Sequence, residues 1–574
     1  MLNMYYKILK LVYKFDKFSV IKLNFILIFT SIIEGLSIAL IFPIIGLLVG
    51  NEKSYIFFNN LSFINLNPES KIFVALLFLV IVFLLKSIFL LYFSWWKSGF
   101  IYRINNSFSK KIFENYLNET WEFYLKSKPS HLLRNSYNEM RLFIQIVDTF
   151  FRLLSELIVF IFVSSVLFFY QPYITVIIFL FFGFLSFVYI FFAKDLLKNW
   201  SLKKLNLSGR IIQILQQSFE SIKSIKVSNI EEKIIKKYDE KMQGFSKYSR
   251  YGMFFGDVPK NFLELSGVIA LCITMLFLYK FEKNNLQTIL PNLGLFAAAS
   301  FRLIPGINRI VSSAQAIYAT NASINTVHSG LVNEKNKDLF KSIKKISFNN
   351  SIEFKNVSYA YPDSKNYVFE KINFKINKND CVCIKGKSGL GKTTIIDLMC
   401  GLIKPAEGSI LVDGKELDSS QVIRGWQRNI GYIPQNTTLY DASILENITF
   451  SEKGNKINEE NLKKAINYSQ LDEFINSKSD GLNYNISERG SNLSGGQAQR
   501  FAIARSIYIK PEILICDEFT SSIDEETQDK ILESLSLNVG NTTMVFISHN
   551  DKVIKKANKI FEIKKDQNQR IIIN

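Results

Sequence analysis

Residues 386–393 read Gly-Lys-Ser-Gly-Leu-Gly-Lys-Thr, and this stretch decides the fold of the second half of the 574-residue chain. It matches the pattern G-x-x-x-x-G-K-[ST], follows the apolar run 381–385 and precedes a helical pattern. Glycines let backbone N–H groups face phosphate oxygens, and a helix N-terminus adds positive potential. The predicted phosphate-binding residues are Gly386, Lys387, Ser388, Gly389, Leu390, Gly391, Lys392, Thr393 and Thr394.

The chemistry of such a loop requires a cation, a metal ligand and an acid nearby. Lys392 is placed to reach the β- and γ-phosphates, and the Thr393 hydroxyl to hold Mg²⁺. A second apolar run, 513–517, ends in Asp517, which fits the acid on the Mg²⁺ side. Glu518 follows directly and is a candidate general base for the attacking water. The sequence therefore predicts an α/β P-loop nucleotide-binding domain that uses ATP and Mg²⁺.

Residues 493–497, Leu-Ser-Gly-Gly-Gln, lie between these two motifs and resemble the signature of ABC transporters. Other motifs agree: residues 432–435 resemble the Q-loop, residues 522–524 the D-loop, and residues 488–490 the short exporter motif. His549 resembles the switch histidine, and Tyr361 resembles the aromatic residue that stacks on adenine.

The resemblance assigns a role to each matching position. It implies three catalytic residues: Glu518, His549 and Gln435. It adds further ATP-binding residues: Tyr361, Ser494, Gly495, Gly496, Gln497 and Asp524. It implies three metal ligands: Thr393, Gln435 and Asp517. Because the signature in this family contacts ATP on the partner's loop, and one chain has one of each, the resemblance implies a homodimer.

Charge is distributed unevenly along the chain. Lys and Arg total 69 and Asp and Glu total 50, for a net charge of +19, yet both classes number 29 in residues 351–574. The whole surplus therefore lies in the apolar first half. Because the positive charge follows hydrophobic segments, we expect a membrane domain and no nucleic-acid partner.

The first half contains apolar stretches long enough to cross a bilayer core, which takes about 20 residues. The predicted spans are residues 24–50, 72–96, 153–170, 173–193, 262–279 and 286–309. The fold class is thus a polytopic α-helical membrane domain of six spans joined to the α/β domain. The predicted divisions are an amphipathic elbow helix at 1–17, a transmembrane domain at 18–325, a linker at 326–350 and the nucleotide-binding domain at 351–574.

Lys and Arg concentrate in the segment before the first span and in the connections between spans two and three and between spans four and five. This bias predicts that both termini are cytoplasmic. The two connections are long and read as continuing helices. We expect their tips, residues 129–139 and 216–223, to contact the nucleotide-binding domain.

Several basic residues lie within or beside the spans, where a charge is costly unless it faces a cavity or a partner. The candidates for a substrate cavity that accepts an anionic head group are Lys86, Lys260, Arg302 and Arg309. The alternative is internal pairing, Lys86 with Glu34 or Lys260 with Glu264, together with snorkelling at the span ends.

Residues 301–310, Phe-Arg-Leu-Ile-Pro-Gly-Ile-Asn-Arg-Ile, resemble flippases of lipid-linked oligosaccharides in bacterial protein N-glycosylation. Ile33-Glu34, Lys86, Ser155-Glu156 and the aromatic segment 54–66 also fit that family. The resemblance implies a bacterial inner-membrane transporter that flips a polyprenyl-diphosphate glycan, with membrane lipid as a partner. Two alternatives stay open: an exporter of peptides or amphipathic drugs, and an ATP-gated membrane protein that does not pump. Intact Glu518 and His549 argue against the second.

Overall fold

The computed structural model forms two compact units. One comprises Met1–Glu119 with Lys126–Lys335, and the other comprises Thr120–Leu125 with Asn336–Asn574. The residues that the structure describes are 2–40, 44, 68–170, 172–281, 286–332, 343–361, 364, 366–450, 457–487, 492–520, 522–536, 542–565 and 571–573.

The described part of the first unit is helical throughout. The helices of this part of the chain are α1 (Leu2–Phe15), α2 (Lys17–Ala39), α3 (Pro68–Leu117), α4 (Trp121–Lys126), α5 (Pro129–Leu133), a π-helical turn (Arg134–Glu139), α6 (Met140–Tyr170), α7 (Pro172–Glu220), α8 (Ile222–Ser228), α9 (Glu231–Phe281), α10 (Leu286–Ala319) and α11 (Asn321–Val332). Within α4, residues 121–125 belong to the second unit and Lys126 to the first.

Six of these helices, α2, α3, α6, α7, α9 and α10, overlap the predicted spans, and α2 covers residues 24–39 of the first span, 24–50. Within the described residues, two segments are long and apolar enough to cross a membrane by length and composition, Lys17–Ser37 and Ile72–Leu117. Helix α3 has 50 residues. At about 1.5 Å per residue it is roughly 75 Å long, more than twice a bilayer core of about 30 Å. Its C-terminal part therefore extends well beyond any hydrocarbon layer, as expected for the long connections. The predicted aromatic segment 54–66 lies outside the described residues.

The core of the first unit is built from aromatic and branched side chains. Phe100 and Ile104 of α3 pack with Phe143, Val147 and Phe151 of α6, and all five are buried. Their spacing of three to four residues places each set on one helix face. Burial of these faces holds α3 and α6 together.

Both ends of this unit differ from the predicted divisions in detail. Helix α1 ends at Phe15, and the Asp16 carboxylate accepts from the Ser19 backbone N–H at 2.9 Å, so α2 begins one residue later. Helix α11 continues through residues 326–332, which the sequence pattern placed in the linker. Ile324, Val327 and Leu331 recur at helical spacing and are buried, and this packing stabilises the helix.

Two main sheets form the second unit. The four-stranded sheet has the order β2-β1-β4-β5, and the six-stranded sheet the order β12-β11-β3-β10-β9-β6. In the larger sheet, β11, β3, β10, β9 and β6 are parallel and β12 is antiparallel. The strands are β1 (Ser351–Tyr359), β2 (Phe369–Asn377), β3 (Cys381–Gly386), β4 (Glu407–Val412), β5 (Lys415–Glu416), β6 (Ile430–Ile433), β7 (Ala442–Ser443), β8 (Asn485–Ile486), β9 (Ile513–Asp517), β10 (Thr543–Ile547), β11 (Lys559–Lys565) and β12 (Ile571–Ile573).

The α-helices of this unit are α12 (Lys392–Met399), α13 (Ser420–Gln427), α14 (Ile444–Thr449), α15 (Glu459–Tyr468), α16 (Asp472–Asn476), α17 (Gly495–Tyr508), α18 (Glu525–Ser536) and α19 (Asp551–Lys556). Of these, α14, α15 and α16 pack with α17 in a hydrophobic cluster of their own. Strands β9 and β10 are buried at every position, because a parallel sheet is covered on both faces. Polar side chains that contact a ligand must therefore lie at the ends of these strands and not along them.

Candidate functional site

The predicted catalytic residues meet along one edge of the parallel sheet. Strand β3 ends at Gly386 and β9 at Asp517, and Ile547 at the end of β10 pairs with Asp517. His549 and Gln435 each follow a strand end by two residues. The carboxyl ends of neighbouring parallel strands lie side by side, which brings residues distant in sequence into one cleft.

The loop after β3 adopts a backbone that only its glycines accept easily. Gly389 and Gly391 have φ angles of +82° and +85°. A Cβ atom at Gly391 would lie 2.8 Å from the Val368 side chain. Gly391 is also the residue before the first turn of α12. The loop therefore leads directly into a helix N-terminus, and loop and helix start together present backbone N–H groups, the arrangement that binds phosphate.

Lys392 is buried and already has two polar contacts. Its Nζ donates to the Gly386 carbonyl oxygen at 2.6 Å and lies 2.8 Å from Nε2 of His549. Because a lysine ammonium has only donors, Nε2 of His549 is the acceptor. The two residues that the family resemblance assigns to the γ-phosphate therefore contact each other directly.

Glu518 stands at the centre of the predicted catalytic set. Nε2 of Gln435 donates to its Oε2 at 2.7 Å, and Nε2 of His549 is 4.0 Å from its Oε1. Its φ of +45° is a conformation that costs a non-glycine residue free energy and that recurs at active sites. The structure thus brings Gln435, Glu518, His549 and Lys392 into one contiguous network.

Asp517 is buried, and its pKa is raised, first by burial and then by the charge of Glu518, while Lys392 lowers it. A buried carboxylate with too little positive charge around it fits a cation site. The Thr393 side chain is exposed. Gln435 uses its amide N–H toward Glu518, which leaves its amide oxygen for a metal. The predicted donor set, Thr393, Gln435 and Asp517, is therefore of the hard oxygen type that Mg²⁺ prefers.

Tyr361, the predicted adenine-stacking residue, lies beside the phosphate loop. Its hydroxyl is 3.0 Å from Oγ1 of Thr394 on α12. Its side chain is 37% exposed, so one ring face remains available for a base. The remaining loop residues Lys387 and Ser388 are exposed and Leu390 is half-buried.

The signature residues begin helix α17. Ser494 accepts from the Gln497 backbone N–H, and the Gln497 side chain accepts from the Ser494 backbone N–H, which forms a capping box. A Cβ atom at Gly496 would lie 2.7 Å from the Ser522 carbonyl oxygen, whereas one at Gly495 would be 3.5 Å from the nearest atom. Within one chain, the signature glycines therefore pack against the predicted D-loop. Residues 488–490, the short exporter motif, lie outside the described residues.

Asp524 has a local structural role in this chain. Its Oδ2 accepts from the Thr527 backbone N–H at 2.9 Å at the start of α18. These hydrogen bonds to Thr527 lower the pKa of the carboxyl group. The contact fixes the turn that follows Ser522, the residue against which Gly496 packs.

One functional contact was not predicted. Residues Thr120–Leu125 belong to the same compact unit as the nucleotide-binding half, whereas the prediction named 129–139 and 216–223 as contact tips. The Trp121 side chain donates a hydrogen bond to Asp397 on α12. Burial, and then the charge of Asp517, raise the pKa of Asp397 to about 6. No motif marks Trp121; the signal in the sequence is a tryptophan that begins a short helix rich in aromatic residues.

The four predicted cavity residues have different environments. Arg309 forms an ion pair with Glu156 of α6, with Nε–Oε1 and Nη2–Oε2 distances of 2.6 and 3.3 Å. Lys86 Nζ donates to the Ser37 hydroxyl at 3.1 Å and lies 5.0 Å from the Phe83 ring centroid. Lys260 is exposed. The side chain of Arg302 lies outside the described residues.

Two family models match the chain. The ABC transporter transmembrane region matches residues 20–298, and the ABC transporter model matches residues 369–521. A solved structure described as a bacterial Atm1-family ABC exporter with ATP bound superimposes with a TM-score of 0.77 at 18% identity. The alignment covers 95% of this chain and 93% of that one.

Curated relatives cover the chain to different extents. An export ATP-binding/permease protein of Rickettsia typhi is 24% identical over 86% of this chain and 85% of its own length. A multidrug resistance ABC transporter ATP-binding and permease protein of Lactococcus lactis is 27% identical over 62% of this chain and 59% of its own. The alpha-hemolysin translocation ATP-binding protein of Escherichia coli O157:H7 is 37% identical over 36% and 29%.

Proposed function

We propose a cargo for this chain, which is a membrane-embedded ABC exporter half-transporter whose nucleotide-binding domain hydrolyses ATP to drive transport. The proposed cargo is a polyprenyl-diphosphate-linked oligosaccharide or a related anionic glycolipid. The transporter moves this cargo from the cytoplasmic to the outer leaflet of a bacterial inner membrane. Both chain termini lie in the cytoplasm.

The observation that supports this cargo is the placement of two cations inside apolar helices. Lys86 is held by Ser37 and Arg309 by Glu156, in each case a side chain of a different helix. A charge within a membrane helix costs several kcal/mol or more, so such residues usually serve a substrate or an ion. Glu156 already compensates the charge of Arg309 and takes two of its five N–H donors. A diphosphate head group would accept charge-assisted hydrogen bonds from the remaining donors of Arg309 and from Lys86.

The overall charge distribution supports the same conclusion. Residues 351–574 are neutral, so the net charge of +19 belongs to the membrane half. A positive domain attracts anionic lipids and disfavours cationic amphiphiles.

Hydrolysis depends on residues that the structure brings together. Glu518 would accept a proton from the attacking water, Gln435 holds the Glu518 carboxylate in place, and His549 would donate to the γ-phosphate. Mg²⁺, when bound by Thr393, Gln435 and Asp517, would neutralise charge on the phosphate oxygens. Lys392 uses two of its three ammonium N–H groups toward Gly386 and His549, so the third would donate to the phosphates.

We further propose that the working unit is a homodimer. One chain supplies one phosphate loop and one signature, and Ser494 and Gly496 pack at the start of α17 beside Ser522. The N–H group of Gly496 and the hydroxyl of Ser494 are a second set of phosphate donors. Two copies related by a two-fold axis would complete two identical sites.

The deciding experiment measures movement of a fluorescent polyprenyl-diphosphate oligosaccharide in proteoliposomes with ATP. The expected result is transport by the wild type and none by Glu518→Gln. Arg309→Ala is expected to reduce transport and Arg309→Lys to restore part of it, while ATP hydrolysis stays near the wild-type rate. ATP hydrolysis without movement of any diphosphate-linked glycan would contradict the cargo assignment.

The second candidate is an exporter of peptides or amphipathic drugs. It is favoured by the relatives named for multidrug resistance and for alpha-hemolysin translocation. Stimulation of ATP hydrolysis by soluble amphiphiles, with no response to diphosphate lipids, would select this candidate. If ATP were hydrolysed and no cargo of either class moved, the result would favour the third alternative, an ATP-gated membrane protein that does not pump.

A further inference from the structure

A cavity of about 340 Å³ lies between helices α7, α9 and α10. Its wall includes Leu185, Val188 and Phe192 of α7, Val258 and Phe262 of α9, and Val311 of α10. The cavity is separate from the nucleotide site, and it contains none of the four predicted cavity cations. Its size falls within the range of pockets that hold small molecules, about 300–1,000 Å³.

A proline creates the polar boundary of this cavity. Pro259, which also lines it, has no backbone N–H, so the carbonyl oxygen of Phe255 four residues earlier loses its helical donor. Two side chains from other helices replace that donor. Gln315 Nε2 donates to the Phe255 oxygen at 2.7 Å, and the Tyr189 hydroxyl donates to the same oxygen. The cluster of Tyr189, Phe255 and Gln315 therefore satisfies the freed carbonyl, and the other residues that line the cavity are apolar except Ser186.

The cavity opens on the outer surface of the helices. Phe192 and Phe262 are 69% and 54% exposed although both line it. Further along α7, Phe184 and Phe187 are 67% and 68% exposed. The opening is thus surrounded by aromatic side chains within the region that matches the ABC transmembrane model, residues 20–298. An apolar opening of this kind suits a hydrocarbon chain of the bilayer in which these helices lie.

The cavity lies where the predicted spans end. Ala193, which lines it, is the last residue of the fourth predicted span, and Phe262 is the first of the fifth. The connection between them is rich in lysine. The opening is therefore at the level where the acyl chains of one leaflet begin, rather than at the bilayer centre.

One hydroxyl on the wall is incompletely bonded. Ser186 Oγ is buried and has no hydrogen-bond partner among the described residues. Other serines of these helices, such as Ser218 and Ser266, donate to the carbonyl four residues earlier. A buried hydroxyl without a partner costs about 1–3 kcal/mol, and a ligand with one acceptor would remove that cost.

We propose that this cavity is a binding site for a single acyl chain of a bilayer glycerophospholipid. The chain fills the apolar space between Val258 and Val311, and its ester carbonyl oxygen accepts from Ser186. A polyprenyl chain has no such acceptor. The site is thus distinct from the proposed cargo site and does not depend on the identity of the cargo.

The experiment uses the full-length protein in liposomes that contain a phospholipid tracer with a photoactivatable diazirine on one acyl chain. After illumination, mass spectrometry maps the labelled peptides. Labelling is expected in the peptides that contain residues 185–193 and 255–262. Val258→Phe, which fills the cavity, is expected to reduce this labelling several-fold.

Val268→Phe is the matched control, because it makes the same change on the same helix at a residue that is 61% exposed and does not line the cavity. It is expected to leave labelling unchanged, and ATP hydrolysis in both variants reports that they are folded. Equal labelling of the two variants would overturn the site. Stronger labelling by a polyprenyl diazirine than by the phospholipid would overturn the acyl-chain assignment, and no labelling at all would mean that protein, such as the partner copy, fills the cavity.

Discussion

Nζ of Lys392 lies 2.8 Å from Nε2 of His549, although the two residues are 157 positions apart in the chain. The same Nζ donates to the Gly386 carbonyl oxygen at 2.6 Å. The loop lysine is therefore bonded to the histidine that would contact the γ-phosphate. The third N–H of its ammonium group is the donor that would reach a phosphate oxygen.

The first prediction concerns His549. His549→Ala removes a donor to the γ-phosphate, and loss of one such donor typically lowers kcat about 10²-fold or more. ATP affinity should change far less, because Lys392 loses a competing partner as well. Steady-state hydrolysis and equilibrium binding of ATP separate the two effects. His328→Ala, at a histidine of α11 in the other compact unit, should change neither, and a loss of binding with kcat intact in His549→Ala would contradict the assignment.

The second prediction compares two glutamates at opposite ends of strand β9. Glu518→Gln removes the candidate general base and should lower hydrolysis by about 10²- to 10⁴-fold with ATP binding retained. Glu512 precedes the strand and pairs with Lys345 and Lys378. Glu512→Gln should therefore leave kcat close to wild type. Residual hydrolysis by Glu518→Gln within a few-fold of wild type would exclude it as the base.

The third prediction uses two adjacent glycines of the signature. Gly496→Ala places a Cβ 2.7 Å from the Ser522 carbonyl oxygen, closer than real Cβ atoms approach, whereas Gly495→Ala places one at an ordinary 3.5 Å. Overpacking of this kind costs roughly 1–3 kcal/mol. Gly496→Ala should lower the thermal stability of the nucleotide-binding half, and Gly495→Ala should not. Equal unfolding temperatures for both variants would show that α17 and the Ser522 turn shift freely.

The fourth prediction is a pH dependence at Asp397. Its pKa in the folded chain is about 6, above the ordinary value of 3.8, so folding favours the protonated carboxyl. The stability that it contributes is fully present below about pH 4 and is lost as the pH rises through about 6. Asp397→Asn should thus stabilise the protein at pH 7.5 by about 1–2 kcal/mol, after a discount for partial exposure, and by much less at pH 4.

Thermal unfolding at both pH values tests this dependence. Asp418→Asn, at an exposed aspartate of the same unit, should shift the unfolding temperature at neither pH. Trp121→Phe removes the indole donor to Asp397, so it should move the inflection of the pH profile upward. An inflection that does not respond to either Asp397→Asn or Trp121→Phe would mean that another group titrates.

The sequence could place the candidate catalytic residues at strand ends because its motifs are local. Gly389 and Gly391 stand where the backbone has a positive φ, which glycine accepts easily. Asp517 ends an apolar run that is typical of a buried strand. The parallel order of the strands then brings Gln435, Asp517 and His549 together without further information. Each of these residues is defined by a few neighbouring positions.

Contacts between distant residues could not be predicted in the same way. Nothing near Trp121 indicates that it bonds Asp397, and nothing near Glu156 selects Arg309 rather than another cation. The proposed pairing of Lys86 with Glu34 was one of several that charge alone permits; the structure shows Ser37 as a partner of Lys86. The pairing partner of each residue depends on how the helices pack. Hydrophobic periodicity shows which face of a helix is buried, but not which helix packs against that face.

A proline is usually treated as a weak point in a helix, yet Pro259 frees the carbonyl oxygen through which α9 is hydrogen-bonded to two neighbouring helices. The Phe255 oxygen that it releases is shared by Gln315 and Tyr189, so three helices meet at one atom. Helices joined in this way would move together as one rigid body if the protein changed between inward-facing and outward-facing states. A residue with a backbone N–H at position 259 would restore the helical hydrogen bond to the Phe255 oxygen. That bond would compete with those of Gln315 and Tyr189 and would weaken the link between the three helices.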